Sequence, residues 1–96
     1  MILEVAILSI KAGESAAFMD SFSKAQAIIA SMPGYITHSL QKCLEQEDKF
    51  LLLVQWQTLE NHTVGFRGPE AYLTWKQLLH HFYDPFPVVE HFTQVL

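Results

Sequence analysis

Phe50-Leu-Leu-Leu-Val-Gln-Trp56 runs directly into Gln57-Thr-Leu-Glu-Asn-His-Thr-Val-Gly-Phe-Arg-Gly-Pro-Glu70, and the contrast between the two stretches decides how the chain is built. The first is a short apolar run bounded by polar residues, the signature of a buried strand. The second is polar and turn-rich, and it carries aromatic, imidazole and guanidinium groups. Thr58 is placed to cap a short helix through Phe66, with Glu60 near its start. Gly65 and Gly68 bracket a turn, and Pro69 suits the first position of the next helix. From Ala71 to Phe82 the residues Tyr72, Trp75, Leu79 and Phe82 recur at the spacing of one helical face. A polar connection between two buried elements is where small folds tend to carry binding and chemistry.

Upstream, Tyr35 to Leu44 reads as a strand, Gln46-Glu47-Asp48 as a polar hairpin connection and Lys49 to Gln57 as its antiparallel partner. Glu45, Glu47 and Asp48 read as a solvated hairpin tip. Residues 2 to 10 are β-branched and apolar and form a first strand, which Ala12-Gly13 breaks. A helix over 14–31 follows, with Glu14 in its first turn and Phe18, Phe22, Ala25 and Ile29 as its buried stripe. Met32-Pro33-Gly34 ends it. Downstream, Asp84-Pro85-Phe86-Pro87 stops the aromatic helix, and Val88 to Val95 reads as a closing strand.

The order β-α-β-β-α-β predicts an α+β fold of ferredoxin-like type, a four-stranded antiparallel sheet with both helices on one face. Such a sheet needs only one apolar face, yet two of these strands are apolar on both. The first sets Leu3, Val5 and Ile7 opposite Ile2, Ala6, Leu8 and Ile10. The third sets Leu51 and Leu53 opposite Phe50, Leu52, Val54 and Trp56. A second apolar face is covered most economically by a copy of itself, so a homodimer joined through its sheets is expected.

Composition agrees with this picture. A chain of 96 residues suits one domain spanning 1–96, and at 50% hydrophobic and 17% charged it is more apolar than one small core requires. Six Lys and Arg against a net charge of -4 leave no basic stripe, so nucleic acid is not an expected partner. No run approaches the ~20 apolar residues of a membrane helix, and Met1 to Ile10, interrupted by Glu4 and lacking a basic lead, reads as a strand rather than a signal peptide. Cys43 is alone, which removes disulfide frameworks and cysteine-rich zinc sites and makes a reducing cytoplasm the default. His80 and His81 project about 100° apart on a helix and no His-x-x-x-His pair exists, so no metal site is expected. Glycine spacing carries no dinucleotide or phosphate-loop signature.

Trp56-Gln-Thr-Leu-Glu-Asn-His62 after a buried strand, then a turn, an aromatic helix and Pro87-Val-Val-Glu-His-Phe92, resembles the antibiotic biosynthesis monooxygenase domain of the dimeric α+β barrel superfamily. The resemblance covers essentially the whole chain. It implies sheets packed into a dimeric barrel and a ligand cavity between sheet and helices in each subunit. Activities in the family include cofactor-independent oxygenation of polyketide aromatics, quinol oxygenation and haem degradation. The haem-degrading branch uses an asparagine on the first strand and an axial histidine on the second long helix. Here the first strand has no asparagine and Trp75 stands near the histidine position, with His80 and His81 about a turn further on. In the polyketide branch a strand asparagine precedes the tryptophan by four residues and a tyrosine follows it. This chain has Leu52, Trp56 and His62 at those places.

The candidate site residues follow. His62 could act as a general base, taking a phenolic or enolic proton to leave an electron-rich anion for dioxygen, or it could cap and pack a short helix. Arg67 could hold an oxyanion or carboxylate, or form a surface or intersubunit salt bridge. Trp56, Phe66, Tyr72 and Trp75 could wall a pocket for a flat ligand or serve as plain core. His38 and His91 could face the cavity or the dimer seam. The expected function is a cofactor-independent monooxygenase acting on a small aromatic, phenolic or quinol compound. The alternative is a non-catalytic dimer that binds a small apolar metabolite, with haem as a third ligand class.

Overall fold

A computed structural model describes residues 1–66 and 70–96 of the chain. Its strands are β1 (Ile2–Ser9), β2 (Tyr35–Lys42), β3 (Lys49–Trp56) and β4 (Val89–Phe92), and its long helices are α1 (Ser15–Ala30) and α2 (Ala71–Leu79). The strands form one antiparallel sheet in the order β2-β3-β1-β4, the α+β ferredoxin-like plan that the order of elements predicts. β1 is central. It pairs with β3 through Glu4↔Val54 and Ala6↔Leu52, and with β4 through Glu4↔His91 and Ala6↔Val89.

Because side chains alternate across a strand, this register sorts the sheet into two faces. Ala6, Leu8, Phe50, Leu52, Val54 and Trp56 are buried beneath the helices, where α1 contributes Phe18, Phe22, Ala25 and Ile29 and α2 contributes Trp75 and Leu79. Phe18 is the hub of the aromatic packing, with ring centroids 5.1 Å from Phe50 and 5.8 Å from Phe82. Leu3, Val5, Leu51 and Leu53 point to the other face and are only half-buried, while Ile7 and Phe92 on that face are 53% and 50% exposed.

Several boundaries differ from the sequence reading, each for a local reason. β2 ends at Lys42 rather than Leu44, its last partner being Phe50. β4 is confined to Val89–Phe92 rather than 88–95. Its last partner is Leu3, one residue from where β1 begins, so longer pairing has no strand to pair with. The second helix is α-helical only to Leu79 and tightens into a 3-10 turn over His80–Phe82. Past that turn the chain is tied to the end of β1: Lys11 N–H donates to Phe82 O at 2.9 Å and Asp84 N–H donates to Ser9 O at 2.8 Å. The Asp84–Pro85 peptide bond is cis.

The hairpin tip is more than solvated charge. Asp48 adopts a left-handed conformation, and its carboxylate accepts a hydrogen bond from Ser15 Oγ at 2.5 Å and one from Gly13 N–H at 3.3 Å. Its carbonyl accepts the Ile10 N–H at 2.7 Å. One residue thereby fastens the β2–β3 hairpin to the start of α1. These bonds hold the Asp48 carboxyl below its ordinary range, the Ser15 bond most, then the Gly13 bond.

Candidate functional site

The segment after β3 begins with a reciprocal cap. Thr58 N–H donates to Asn61 Oδ1 at 3.0 Å, and Asn61 N–H donates to Thr58 Oγ1 at 3.2 Å. This is a capping box with asparagine in the role usually taken by Glu or Gln. Asn61 in turn lies against Gly34, which has a positive φ of 83° and whose missing side chain would overlap the Asn61 amide. From Asn61 to Phe66 the backbone winds as a π-helix, a rare form that is frequent at functional sites. The predicted short helix is therefore present, capped at Thr58 as expected but wider than an α-helix. It turns His62 and Phe66 inward, and both are buried.

His62 is 3% exposed and lies with its ring stacked on the Trp56 indole, centroids 5.5 Å apart and planes inclined by 24°. Its Nδ1 is 2.8 Å from His91 Nε2, and its Nε2 is 3.4 Å from Glu4 Oε1. Glu4, 4% exposed, accepts the Trp56 indole N–H at 2.9 Å on the same oxygen. Four residues from β1, β3, the π-helix and β4 thus form one polar array in an otherwise apolar interior. Taking a carboxylate out of water costs several kcal/mol unless such partners surround it, so this placement is more typical of a working site than of packing.

The array borders a cavity of about 60 Å³ between the sheet and the helices. Glu4 and His62 reach its wall together with Phe66, Tyr72, Trp75, His80 and Tyr83. Phe66 contacts Tyr72 and Trp75 edge-on, at 5.2 and 5.3 Å between centroids, and so ties the π-helix to α2. Burial pushes the Tyr83 phenol well above its ordinary pKa, with nearby Glu4 and Tyr72 adding to the effect, so it stays a protonated hydrogen-bond donor at neutral pH.

Of the residues singled out in the sequence, Phe66, Tyr72, Trp75 and His62 meet at the cavity, and Trp56 and His91 stand directly behind His62. His62 is not the cap of its helix, a task done by Thr58 and Asn61. His38 lies elsewhere, at the outer strand β2. It bonds Tyr35 OH at 2.6 Å through Nδ1 and Gln26 Oε1 at 3.1 Å through Nε2, and burial lowers its pKa. Arg67 falls outside the described residues. Sequence reasoning passed over Glu4, Tyr83 and the contribution of His80. Glu4 was detectable, because a period of two sets it on the face of Ala6 and Leu8. Tyr83 gave no such signal, since it reaches the cavity through the isolated bridge it makes with Ile10. Among the described residues no three acidic, cysteine or histidine side chains are placed to hold a metal ion, and no helix is long and apolar enough to cross a membrane. Trp75, near the place where the resemblance puts an axial histidine, is buried against Phe22 and Phe66.

Comparison with known proteins supplies the family. A model of the antibiotic biosynthesis monooxygenase family matches residues 1–81. The chain belongs to this family. Among its relatives is the uncharacterised protein YczJ of Bacillus subtilis (strain 168), 58% identical over 95 residues, a match covering 99% of this chain and 100% of YczJ. A crystal structure from Bordetella bronchiseptica, provisionally assigned as an antibiotic biosynthesis monooxygenase, superposes with a TM-score of 0.93 at 27% identity, covering 99% of this chain and 97% of that one. SnoaB of Streptomyces nogalater, described as a cofactor-independent oxygenase, superposes with a TM-score of 0.86 at 17% identity over 99% of this chain and 93% of its own, a likeness of fold.

Proposed function

We propose that this member of the antibiotic biosynthesis monooxygenase family is a cofactor-independent oxygenase of a small aromatic, phenolic or quinol compound. The observation that carries the reading is His62, buried at the cavity wall, braced by Glu4 and His91 and stacked on Trp56. An imidazole at the cavity wall is the side chain suited to take a substrate proton, and a carboxylate beside it would offset the charge that results. Loss of a proton turns an acidic phenol or the enol of an anthrone into an electron-rich anion, which supplies the electrons for dioxygen. The overall change converts a ring CH₂ and O₂ into C=O and H₂O, so the substrate is oxidised, dioxygen is reduced and no further reductant is consumed. SnoaB, which shares the fold, is described as an oxygenase of this cofactor-independent kind.

Tyr83 would donate to a substrate oxygen, and Phe66, Tyr72 and Trp75 would flank its ring. Arg67 is the proposed holder of an oxyanion. A cavity of about 60 Å³ is small beside the ~300–1,000 Å³ of usual ligand sites, so ring binding requires its wall to part. Phe86, a wall residue that is 61% exposed, has the room to swing outward. Leu3, Val5, Ile7, Leu51, Leu53 and Phe92 make the bare sheet face the proposed seat of a second copy, giving a homodimer. Cys43 is unpaired within the chain, which suits the cytoplasm as the proposed setting.

Oxygen uptake over a panel of anthrones and dihydroxynaphthalenes tests the reading. Enzyme-dependent uptake should fall by about 10²–10⁴-fold in His62→Ala, the usual worth of a positioned general base. Binding of the same compounds with no oxygen consumed would instead mark a non-catalytic binder, the function that the small cavity with its aromatic and aliphatic walls would also serve.

A further inference from the structure

Tyr35 and His38 are three residues apart on β2, and in a regular strand that spacing sends two side chains to opposite faces. An irregularity in the β2–β3 register between Tyr35 and Thr37 brings them to the same face: Tyr35 pairs with Trp56 and His38 with Val54, both buried beneath the helices. The phenol and the imidazole meet there, with Tyr35 OH 2.6 Å from His38 Nδ1. His38 Nε2 faces Gln26 Oε1 on α1 at 3.1 Å, and an amide oxygen only accepts, so the neutral ring carries its one proton on Nε2. Nδ1 is then bare and accepts the Tyr35 O–H. Burial lowers the His38 pKa, which keeps the ring uncharged at neutral pH. The Tyr35 ring also stands edge-on to Trp56, centroids 6.4 Å apart and planes at 85°. Trp56 in turn lies behind His62 and Phe66 of the cavity wall, at 5.5 and 5.9 Å between centroids.

We propose that Tyr35 and His38 form a proton-coupled redox site, wired to the cavity by Trp56, that drains one-electron oxidants from it. Indole and phenol rings lose a single electron far more readily than benzene or neutral imidazole rings, so Trp56 and Tyr35 are the stops and Phe66 and His62 only bridges. Under the oxygenase reading, on which this role rests, a substrate radical that separates from superoxide and captures a second dioxygen becomes an organic peroxyl radical. It takes one electron from Trp56 and becomes a hydroperoxide anion, which gains a proton from solvent. The Trp56 radical cation recovers its electron from Tyr35, whose O–H bond breaks as an Nδ1–H bond forms on His38. Trp56 is restored, Tyr35 is left as a neutral phenoxyl radical, and His38 holds the proton. No ring has to turn, because the imidazolium donates from Nδ1 to the Tyr35 oxygen and still from Nε2 to Gln26. Tyr35 and His38 are half-buried rather than sealed, so a small reductant of the thiol or ascorbate class can return the electron while His38 returns the proton.

The radical transfer is measurable without turnover. A laser flash at a wavelength that tyrosine does not absorb ionises the two tryptophans, and a cobalt(III) ammine scavenges the ejected electrons. In unmodified protein, tyrosyl absorption should grow in as indole-radical absorption decays, at a rate independent of protein concentration and slower in heavy water. EPR of frozen samples should show a tyrosyl whose high-field g tensor reports a proton donor at its oxygen. Tyr35→Phe should abolish the tyrosyl, and in His38→Phe the indole radical should persist in its place. Trp75→Phe, which leaves Trp56 as the one indole, should keep the transfer. Absence of a tyrosyl in the unmodified protein, an unchanged tyrosyl in Tyr35→Phe or His38→Phe, or loss of transfer in folded Trp75→Phe would overturn the proposal. Should the variants not fold, the g tensor of the unmodified protein decides, and one without the hydrogen-bonded signature refutes the pair. For the protective role, dithranol oxidation by Tyr35→Phe should start at the wild-type rate and fail after fewer turnovers, and an equal number of turnovers would refute that role. If the unmodified protein oxidises no anthrone, the oxygenase reading fails, and the redox pair still stands or falls on the flash measurements.

Discussion

Asp48 shows how much one residue of an apparently plain turn can hold. Its carboxylate binds Ser15 Oγ and Gly13 N–H at the start of α1, where negative charge also complements the helix dipole. Its folded pKa is lowered from the ordinary value of 3.8, so the folded state binds fewer protons than the unfolded state as pH drops through this range. The stabilisation is therefore complete above pH 3.8 and is lost as the pH falls below it toward the folded value. Asp48→Asn tolerates the same left-handed backbone but removes the charge. Thermal melts should show a lower Tm than wild type at pH 7, with the gap closing in acid. A constant gap would mean that the charge is not what matters. Glu4 teaches the complementary lesson. In the sequence it reads as an interruption of a greasy strand, and nothing local reveals that Trp56, His62 and His91 are waiting for it.

Among the elements, those whose evidence is local were legible and those that depend on distant pairing were not. The hairpin of β2 and β3 and the stripe Phe18, Phe22, Ala25 and Ile29 of α1 follow from periods of two and of about four residues, and the structure has both, with β2 two residues and β3 one residue shorter than read. The π-helical winding of Asn61–Phe66 leaves no such mark, because its inward residues, His62 and Phe66, have the spacing of an ordinary helical turn. Its position depends instead on Gly34, a residue on the far side of the hairpin. Gly34→Ala must adopt a positive φ and also displace the Asn61 side chain that completes the cap. The backbone term alone costs about 1–2 kcal/mol. Chemical denaturation should show at least that loss, together with a shift of the His62 ring signals. An unchanged midpoint would show that the Gly34–Asn61 contact does not set the π-helix.

For the whole molecule, the register of β1 against β3 and β4 fixes two surfaces at once. One face of the sheet carries the polar array and its cavity beneath the helices. The other presents Leu3, Val5, Leu51 and Leu53, which are half-buried, and Ile7 and Phe92, which are exposed. Apolar patterning on both faces was readable from the sequence, and a second copy of the chain is the proposed cover. Sedimentation at micromolar concentration should report a dimer, and Ile7→Glu should convert it to a monomer, because an unpaired carboxylate would then be buried at the seam. A wild-type monomer would refute the assembly without touching the chemistry. The chemistry has its own decisive measurement, oxidation of dithranol under ¹⁸O₂ with and without protein, run beside His62→Ala. Wild-type protein should speed formation of a ketone carrying one ¹⁸O atom, with the other atom released as water, and His62→Ala should return the rate to the protein-free blank. A wild-type rate equal to the blank, or a His62→Ala rate equal to wild type, would contradict the oxygenase assignment to this site.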